Sequence, residues 1–126
     1  MNTPVSFELS KLLKEKGFKP IKLFGYISKF YNPNTKTLLA YGRTGRTDLS
    51  KAYFAPTIAE VVMWLYEKHG LWIEISLNQF SKPNNLQWMY SIVFTEDCTY
   101  SHSPKAYSSP TEAYSEAIEY TLKNLI

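Results

Sequence analysis

Cysteine, histidine and long apolar runs are what this chain has least of. The 126 residues hold one cysteine, Cys98, so no disulfide can form within the chain, and they hold two histidines. No uninterrupted apolar stretch approaches a membrane span, which takes about 20 residues. The first residues, Met1 to Pro4, do not form the charged and then apolar segment of a signal peptide. We therefore expect a cytoplasmic protein in a reducing compartment.

Motifs of common catalytic chemistry are also missing. The sequence has no phosphate-binding loop, dinucleotide-binding glycine pattern, nucleophile elbow or metalloprotease helix. Cys98 and His102 share a face of a predicted strand, where their Cα atoms would be roughly 13 Å apart, too far for a Cys–His dyad. A zinc site needs about four ligands, and neither cysteine pairs nor histidine pairs supply them. We expect no catalytic residues, no metal site and no cofactor, and hence a protein that is not an enzyme.

What the chain has in plenty is aromatic side chains. Tyrosine, phenylalanine and tryptophan make up 16% of the residues, which is more rings than a small core needs, so we expect some at a surface or interface. With 44% hydrophobic and 20% charged residues, the composition is that of an ordered globular protein. A length of 126 residues fits a single globular domain, 1–126.

The most clearly marked element is a helix that runs directly into a strand. Thr57 and Glu60 have the spacing of a capping box at its start, and Gly70 stands where a left-handed residue ends a helix. Helical spacing predicts a buried stripe of Ile58, Val61, Val62, Leu65, Tyr66 and His69. Over 71–77 the period changes to two, which predicts a strand with Leu71, Ile73, Ile75 and Leu77 on its inner face.

The other segments complete the order of elements. We predict a first helix from Pro4 to Lys16 with Thr3 as its cap, and a last helix that begins at Pro110. Further strands are predicted over 21–31, 37–41, 86–95 and 98–102, and a long loop over 42–53. Because links between successive strands are short, antiparallel pairing is favoured. The sequence thus predicts an α+β fold, an antiparallel sheet of about five strands with three helices, in the order α-β-β-α-β-β-β-α.

Three segments are similar to those of a known group of proteins. They are the runs from Val5 to Phe18, from Ala55 to Gly70, and from Ser109 to Ile126. Together they resemble small uncharacterised proteins of gut Bacteroidetes and of their phages and mobile elements. The resemblance implies a bacterial or phage accessory protein inside the cell. It implies no activity and no catalytic residues.

The first functional hypothesis is a non-enzymatic accessory protein that acts by protein–protein interaction or by homo-oligomerisation. Several large apolar side chains fall off the predicted inward faces, and such side chains form partner surfaces when nothing covers them. The simpler alternative is that another helix covers this sheet face. The residues predicted to bind a partner are Met63, Trp64, Trp72, Met89 and Val93.

The alternative hypothesis is single-stranded nucleic-acid binding through the basic, aromatic hairpin and loop at 21–53. Residues 1–51 carry ten Lys and Arg against three acidic residues, whereas residues 52–126 carry four against eight. Rings can stack on bases while Lys and Arg meet phosphates. The simpler explanation is a solvated surplus of lysines, some of which complement the dipole of the first helix. The residues predicted to contact nucleic acid are Lys22, Lys29, Lys36, Arg43, Arg46 and Lys51.

Overall fold

The computed structural model describes residues 3–19, 29–40 and 53–126. Within these ranges the helices are α1 (Phe7–Glu15), α2 (Ile58–His69) and α3 (Pro110–Asn124). The strands are β1 (Lys29–Tyr31), β2 (Leu38–Ala40), β3 (Tyr53–Phe54), β4 (Leu71–Leu77), β5 (Trp88–Phe94) and β6 (Thr99–His102). The α+β class, the three helices and the antiparallel pairing are therefore confirmed.

The described strands lie in two sheets, whereas the sequence predicts one. β1 pairs with β2 and β3 in one three-stranded sheet, and β5 pairs with β4 and β6 in the other. The sequence does not predict β3, in which Tyr53 lies opposite Tyr31 and Phe54 opposite Phe30. A strand this short shows no period, so only its distant partner reveals it. The remainder of the predicted strand 21–31, at 21–28, and of the predicted loop, at 42–52, lies outside the described residues.

Helix α1 begins at Phe7 rather than at Pro4. Ser6, not Thr3, is its N-cap, since the Ser6 Oγ accepts a hydrogen bond from the Leu9 N–H at 3.2 Å. The residues before the cap are extended because they pair with the chain that leads into α2. The Val5 N–H, for example, donates to the carbonyl of residue 56 at 2.9 Å. This pairing joins segments far apart in the sequence, which local spacing cannot reveal.

The core lies between the three helices and the inner face of β4 and β5. The predicted capping box of α2 forms, with Thr57 Oγ1 accepting from the Glu60 N–H at 3.3 Å, and Gly70 ends the helix at a φ of 65°. Tyr66 and His69 are exposed, so the buried stripe of α2 is narrower than predicted. The fully buried side chains here include Leu13, Ile58, Val61, Leu65, Ile73, Ile92, Ala117, Ile118 and Leu122. Helix α3 packs on both β4 and β5, whereas α2 packs on β4 and on α3.

Candidate functional site

Phe80 is the most exposed large apolar residue that the described ranges contain. It lies in the connection between β4 and β5, with 83% of its surface open to solvent. Leu77, at the end of β4, and Leu86, just before β5, are 48% and 44% exposed. We call Phe80, Leu77 and Leu86 the apolar tip. The apolar tip thus exposes three apolar side chains to solvent at one end of the β4–β5 hairpin.

The connection that carries Phe80 is held in place by its own hydrogen bonds. The Asn78 N–H donates to the Gln87 carbonyl at 2.8 Å, which extends the pairing of the hairpin past the ends of its strands. The Gln87 N–H donates to Ser81 Oγ at 2.9 Å, and the Phe80 N–H donates to Asn78 Oδ1 at 3.1 Å. The last of these bonds is an Asx turn. Because the backbone is already ordered, a partner that covers the Phe80 ring has little conformational entropy to remove.

The sequence predicts the turn at 81–85 but no role for Phe80. A single ring outside a periodic segment belongs to no face, so neither helical nor strand spacing marks it. The signal that could have found it is its neighbourhood. Phe80 stands among amides, a serine and a proline that favour a turn, where no inward stripe can take up a large ring.

Three of the residues predicted to bind a partner lie on the outer face of the β4–β5–β6 sheet. Trp72, Val93 and Tyr100 lie side by side across the three strands, and Met89 lies on the same face further along β5. Trp72, Met89 and Val93 are only half-buried, and Tyr100 is 54% exposed. The Tyr66 ring of α2 meets Trp72 edge to face, with 5.6 Å between the ring centroids. Part of this face is therefore covered by the chain itself.

The other two predicted partner residues, Met63 and Trp64, lie on the outward side of α2. The Trp64 ring contacts the ring of Phe18, with 5.3 Å between centroids, and the ring of His69, with 4.9 Å. Met63, Trp64 and Phe18 line a cavity of about 720 Å³. The charged side chains around it are Lys16, Lys19, Glu60, Glu67 and Lys68. The predicted partner residues are thus divided between the cavity beside α2 and the outer face of the β4–β5–β6 sheet.

The predicted nucleic-acid contacts are only partly described. Lys29 and Lys36 belong to the first sheet and its hairpin, and both are exposed. Lys29 lies two positions before Tyr31, so the two side chains share a face of β1. The predicted contacts outside the described residues are Lys22, Arg43, Arg46 and Lys51.

Lys36 belongs to a group of rings and lysines that the sequence does not bring together. Phe7, the first residue of α1, meets Tyr31 of β1 and Tyr53 of β3 edge to face, with 5.6 Å between centroids in both pairs. The Nζ atoms of Lys36 and Lys11 lie 5.4 and 5.8 Å from the Phe7 centroid. A third ammonium, from α1, lies 5.0 Å from the centroid of Tyr53. We call Phe7, Tyr31, Tyr53, Lys11, Lys14 and Lys36 the basic aromatic cluster.

The groups considered for catalysis have other surroundings. Cys98 is exposed in the turn before β6, which begins one residue later than predicted, and His102 Nδ1 lies 2.9 Å from Ser91 Oγ. Hydrogen bonds from the side chain and N–H of Thr99 lower the pKa of Asp97. Within residues 3–19, 29–40 and 53–126, no group of three or more His, Cys, Asp or Glu side chains could hold a metal ion.

No family model matches the chain, and no curated protein and no solved structure matches it either. The resemblance to small Bacteroidetes and phage proteins therefore stays a prediction. In the part of the chain that the structure describes, none of the helices has the length and apolar character needed to cross a bilayer.

Proposed function

We propose that this chain is a non-enzymatic, cytoplasmic accessory protein that acts by binding another protein through the apolar tip, with Phe80 as the anchor. The observation that carries the proposal is the 83% exposure of Phe80 on a hydrogen-bonded connection. Burial of this solvent-exposed ring by a partner makes the free energy of binding more favourable. Burial of a whole Phe side chain contributes about 1.5–3 kcal/mol from the hydrophobic effect alone.

The surroundings of Phe80 suit a binding anchor. Binding energy in protein interfaces is concentrated in a few aromatic or large apolar residues, with polar residues around them that exclude water. Leu77 and Leu86 supply further apolar surface near Phe80. The polar side chains of the same connection are the uncharged Asn78, Gln79, Ser81, Asn84, Asn85 and Gln87, together with one exposed cation, Lys82.

These features define the chemistry of the partner. A projecting ring with two leucines fits a concave apolar pocket. A rim of amides with the single cation Lys82 fits a border made mainly of hydrogen-bonding groups. A second copy of this chain fits less well, because the cavity beside Phe18 is lined by five charged side chains, and an inserted apolar tip would remove water from them. A symmetric contact of two tips would also fall short of the roughly 800 Å² per partner that stable interfaces bury. We therefore assign the tip to a different protein.

The proposal is tested by comparing partners of the wild-type chain with those of two variants. Tagged wild-type protein, Phe80→Ser and the matched surface variant Tyr120→Ser are purified from the cells that express the chain. Tyr120 is an exposed ring on α3 and is not part of the apolar tip. A protein retained by wild type and Tyr120→Ser but lost with Phe80→Ser is then produced separately, and its affinity is measured by calorimetry.

We expect Phe80→Ser to weaken the reconstituted complex by roughly 30-fold or more, the size of a hot-spot truncation. Raising the salt concentration should change the affinity little, since Lys82 is the one charged side chain of the connection that carries the tip. Equal affinity of the wild type and Phe80→Ser for every retained protein would contradict the proposal. Self-association of the purified chain that Phe80→Ser abolishes would also contradict it, because the occupant would then be a second copy.

A further inference from the structure

The basic aromatic cluster has a geometry that neither the core nor the partner surface explains. Its three rings meet edge to face, and its ammonium groups lie 5.0–5.8 Å from ring centroids. Phe7, Tyr31 and Tyr53 are each half-buried, so part of each ring remains accessible. The cluster also draws on three separate segments, α1, β1 with its hairpin, and β3. We infer that the cluster binds single-stranded nucleic acid, with bases on its rings and phosphates on its lysines.

Lys36 supplies an observation that is independent of composition. Its backbone has a φ of 58°, in the left-handed region that glycine and asparagine favour. Its N–H donates to the Asn32 carbonyl at 2.8 Å, which holds this conformation in the β1–β2 turn. A lysine in such a place has a conformational cost that glycine would not have. Sites of this kind often retain a strained residue for its side chain, and here the side chain reaches Phe7.

Within the described residues, the ammonium groups of Lys11 and Lys36 have no acidic counterpart. Within the described residues, no carboxylate lies within ion-pair distance of either ammonium group. Their contacts with the Phe7 ring are of the cation–π type, which is weak at an exposed site. A phosphate can therefore draw each ammonium from the ring at low cost and leave a ring face for a base.

The joint presence of rings and cations selects the class of ligand. An acidic peptide would use the lysines and would have no need of the rings. A strand of nucleic acid uses both, since its phosphates take the cations and every base has a face that can stack on an aromatic side chain. A regular duplex hides its base faces, so the expected ligand is a single strand of DNA or RNA.

Binding is measured by fluorescence anisotropy with labelled single strands of about 15 nucleotides, as DNA, as RNA and as an abasic strand of equal length. Each titration is repeated between about 50 and about 200 mM salt. The variants are the double change Lys11→Ala with Lys36→Gly, and Phe7→Leu. Lys36→Gly places glycine where the backbone favours it, so loss of binding is not loss of fold. The matched control is Lys105→Ala, because Lys105 Nζ lies 5.4 Å from the centroid of Tyr107 in a similar contact elsewhere.

The inference predicts two separable effects. Each phosphate contact adds about 0.7 to the slope of log affinity against log salt for a single strand, so the double variant should lower that slope by about 1.4. Phe7→Leu should weaken binding of the intact strands by roughly 5- to 150-fold, leave the slope unchanged and leave the abasic strand unaffected. Lys105→Ala should change neither quantity.

Three results would overturn the inference. The first is the absence of salt-dependent binding by the wild-type chain. The second is a slope of log affinity against log salt that is the same in the double variant as in the wild type, or that Lys105→Ala lowers by as much as the double variant does. The third is an equal loss of affinity for intact and abasic strands in Phe7→Leu, or binding of poly-glutamate as tight as binding of the intact strands. In either case an anion without bases would account for the site. None of these results bears on the apolar tip, which lies on the other sheet.

Discussion

Replacing Phe80 by alanine should leave the folded state almost as stable as before. Less than a fifth of the residue is covered, because 83% of its surface is exposed. A Phe side chain buries about 200 Å² when fully covered, so the area lost here is about 40 Å², worth about 1 kcal/mol at 25 cal/mol per Å². That figure is an upper limit, since the unfolded chain also covers part of its apolar surface.

Phe30 provides a matched comparison within the same chain. It is only 1% exposed, and Phe→Ala at a buried position costs about 3–5 kcal/mol through lost transfer free energy and the cavity left behind. The free energies of unfolding of wild type, Phe80→Ala and Phe30→Ala are measured by urea denaturation. Phe30→Ala should then lower the free energy of unfolding by at least about 2 kcal/mol more than Phe80→Ala does. A loss of more than about 2 kcal/mol for Phe80→Ala would refute the reasoning, because the ring would have to be packed in the folded protein rather than free for a partner.

Two further predictions concern the fold. Gly70→Ala should cost about 1–2 kcal/mol in urea unfolding, because Gly70 has a φ of 65°. The new Cβ would also lie 3.1 Å from Thr95 Oγ1. Gly17→Ala should cost less, because Gly17 also has a left-handed φ, of 84°, but no atom of the described residues beyond its chain neighbours lies within 4 Å of the added Cβ. Equal losses would contradict a contribution of the Thr95 contact. Burial raises the pKa of Tyr90 and Tyr107, so the unfolded chain releases protons first and stability should fall above about pH 10. Tyr90→Phe should make that alkaline loss smaller, and an unchanged dependence of unfolding on pH would contradict this explanation.

Local chemistry in the sequence was sufficient to predict the elements whose ends and faces are set by near neighbours. Helix α2 is bounded by Thr57, Glu60 and Gly70, all within one segment, and β5 shows an uninterrupted alternation. The start of α1 and the presence of β3 depend instead on pairing between distant segments. Val5 is extended because it bonds to residue 56, and Tyr53 is in a strand because Tyr31 lies opposite. Such long-range pairing explains why the sequence predicts one sheet where the described strands form two.

The candidate sites also combine features that near neighbours in the sequence determine with features that only the tertiary fold determines. Periodicity placed Trp72, Met89 and Val93 on one sheet face correctly, but it cannot relate that face to the outward side of α2, where Met63 and Trp64 lie. The alternation of rings and lysines indicated nucleic-acid binding, yet Phe7 and Lys11 come from a helix whose lysines had a sufficient structural explanation. Phe80 was missed because exposure of a turn residue depends on the tertiary fold.

The most direct test of the account is photo-cross-linking from the apolar tip in cells that express the chain. Phe80 is replaced by a photoreactive phenylalanine analogue, and Tyr120 is replaced in a second sample as the control. The account predicts a discrete cross-link to another protein from position 80, which excess wild-type chain suppresses and excess Phe80→Ser does not. Position 120 should yield no such product. Cross-links of equal yield from both positions, or none from position 80, would contradict the claim that the tip is the contact surface.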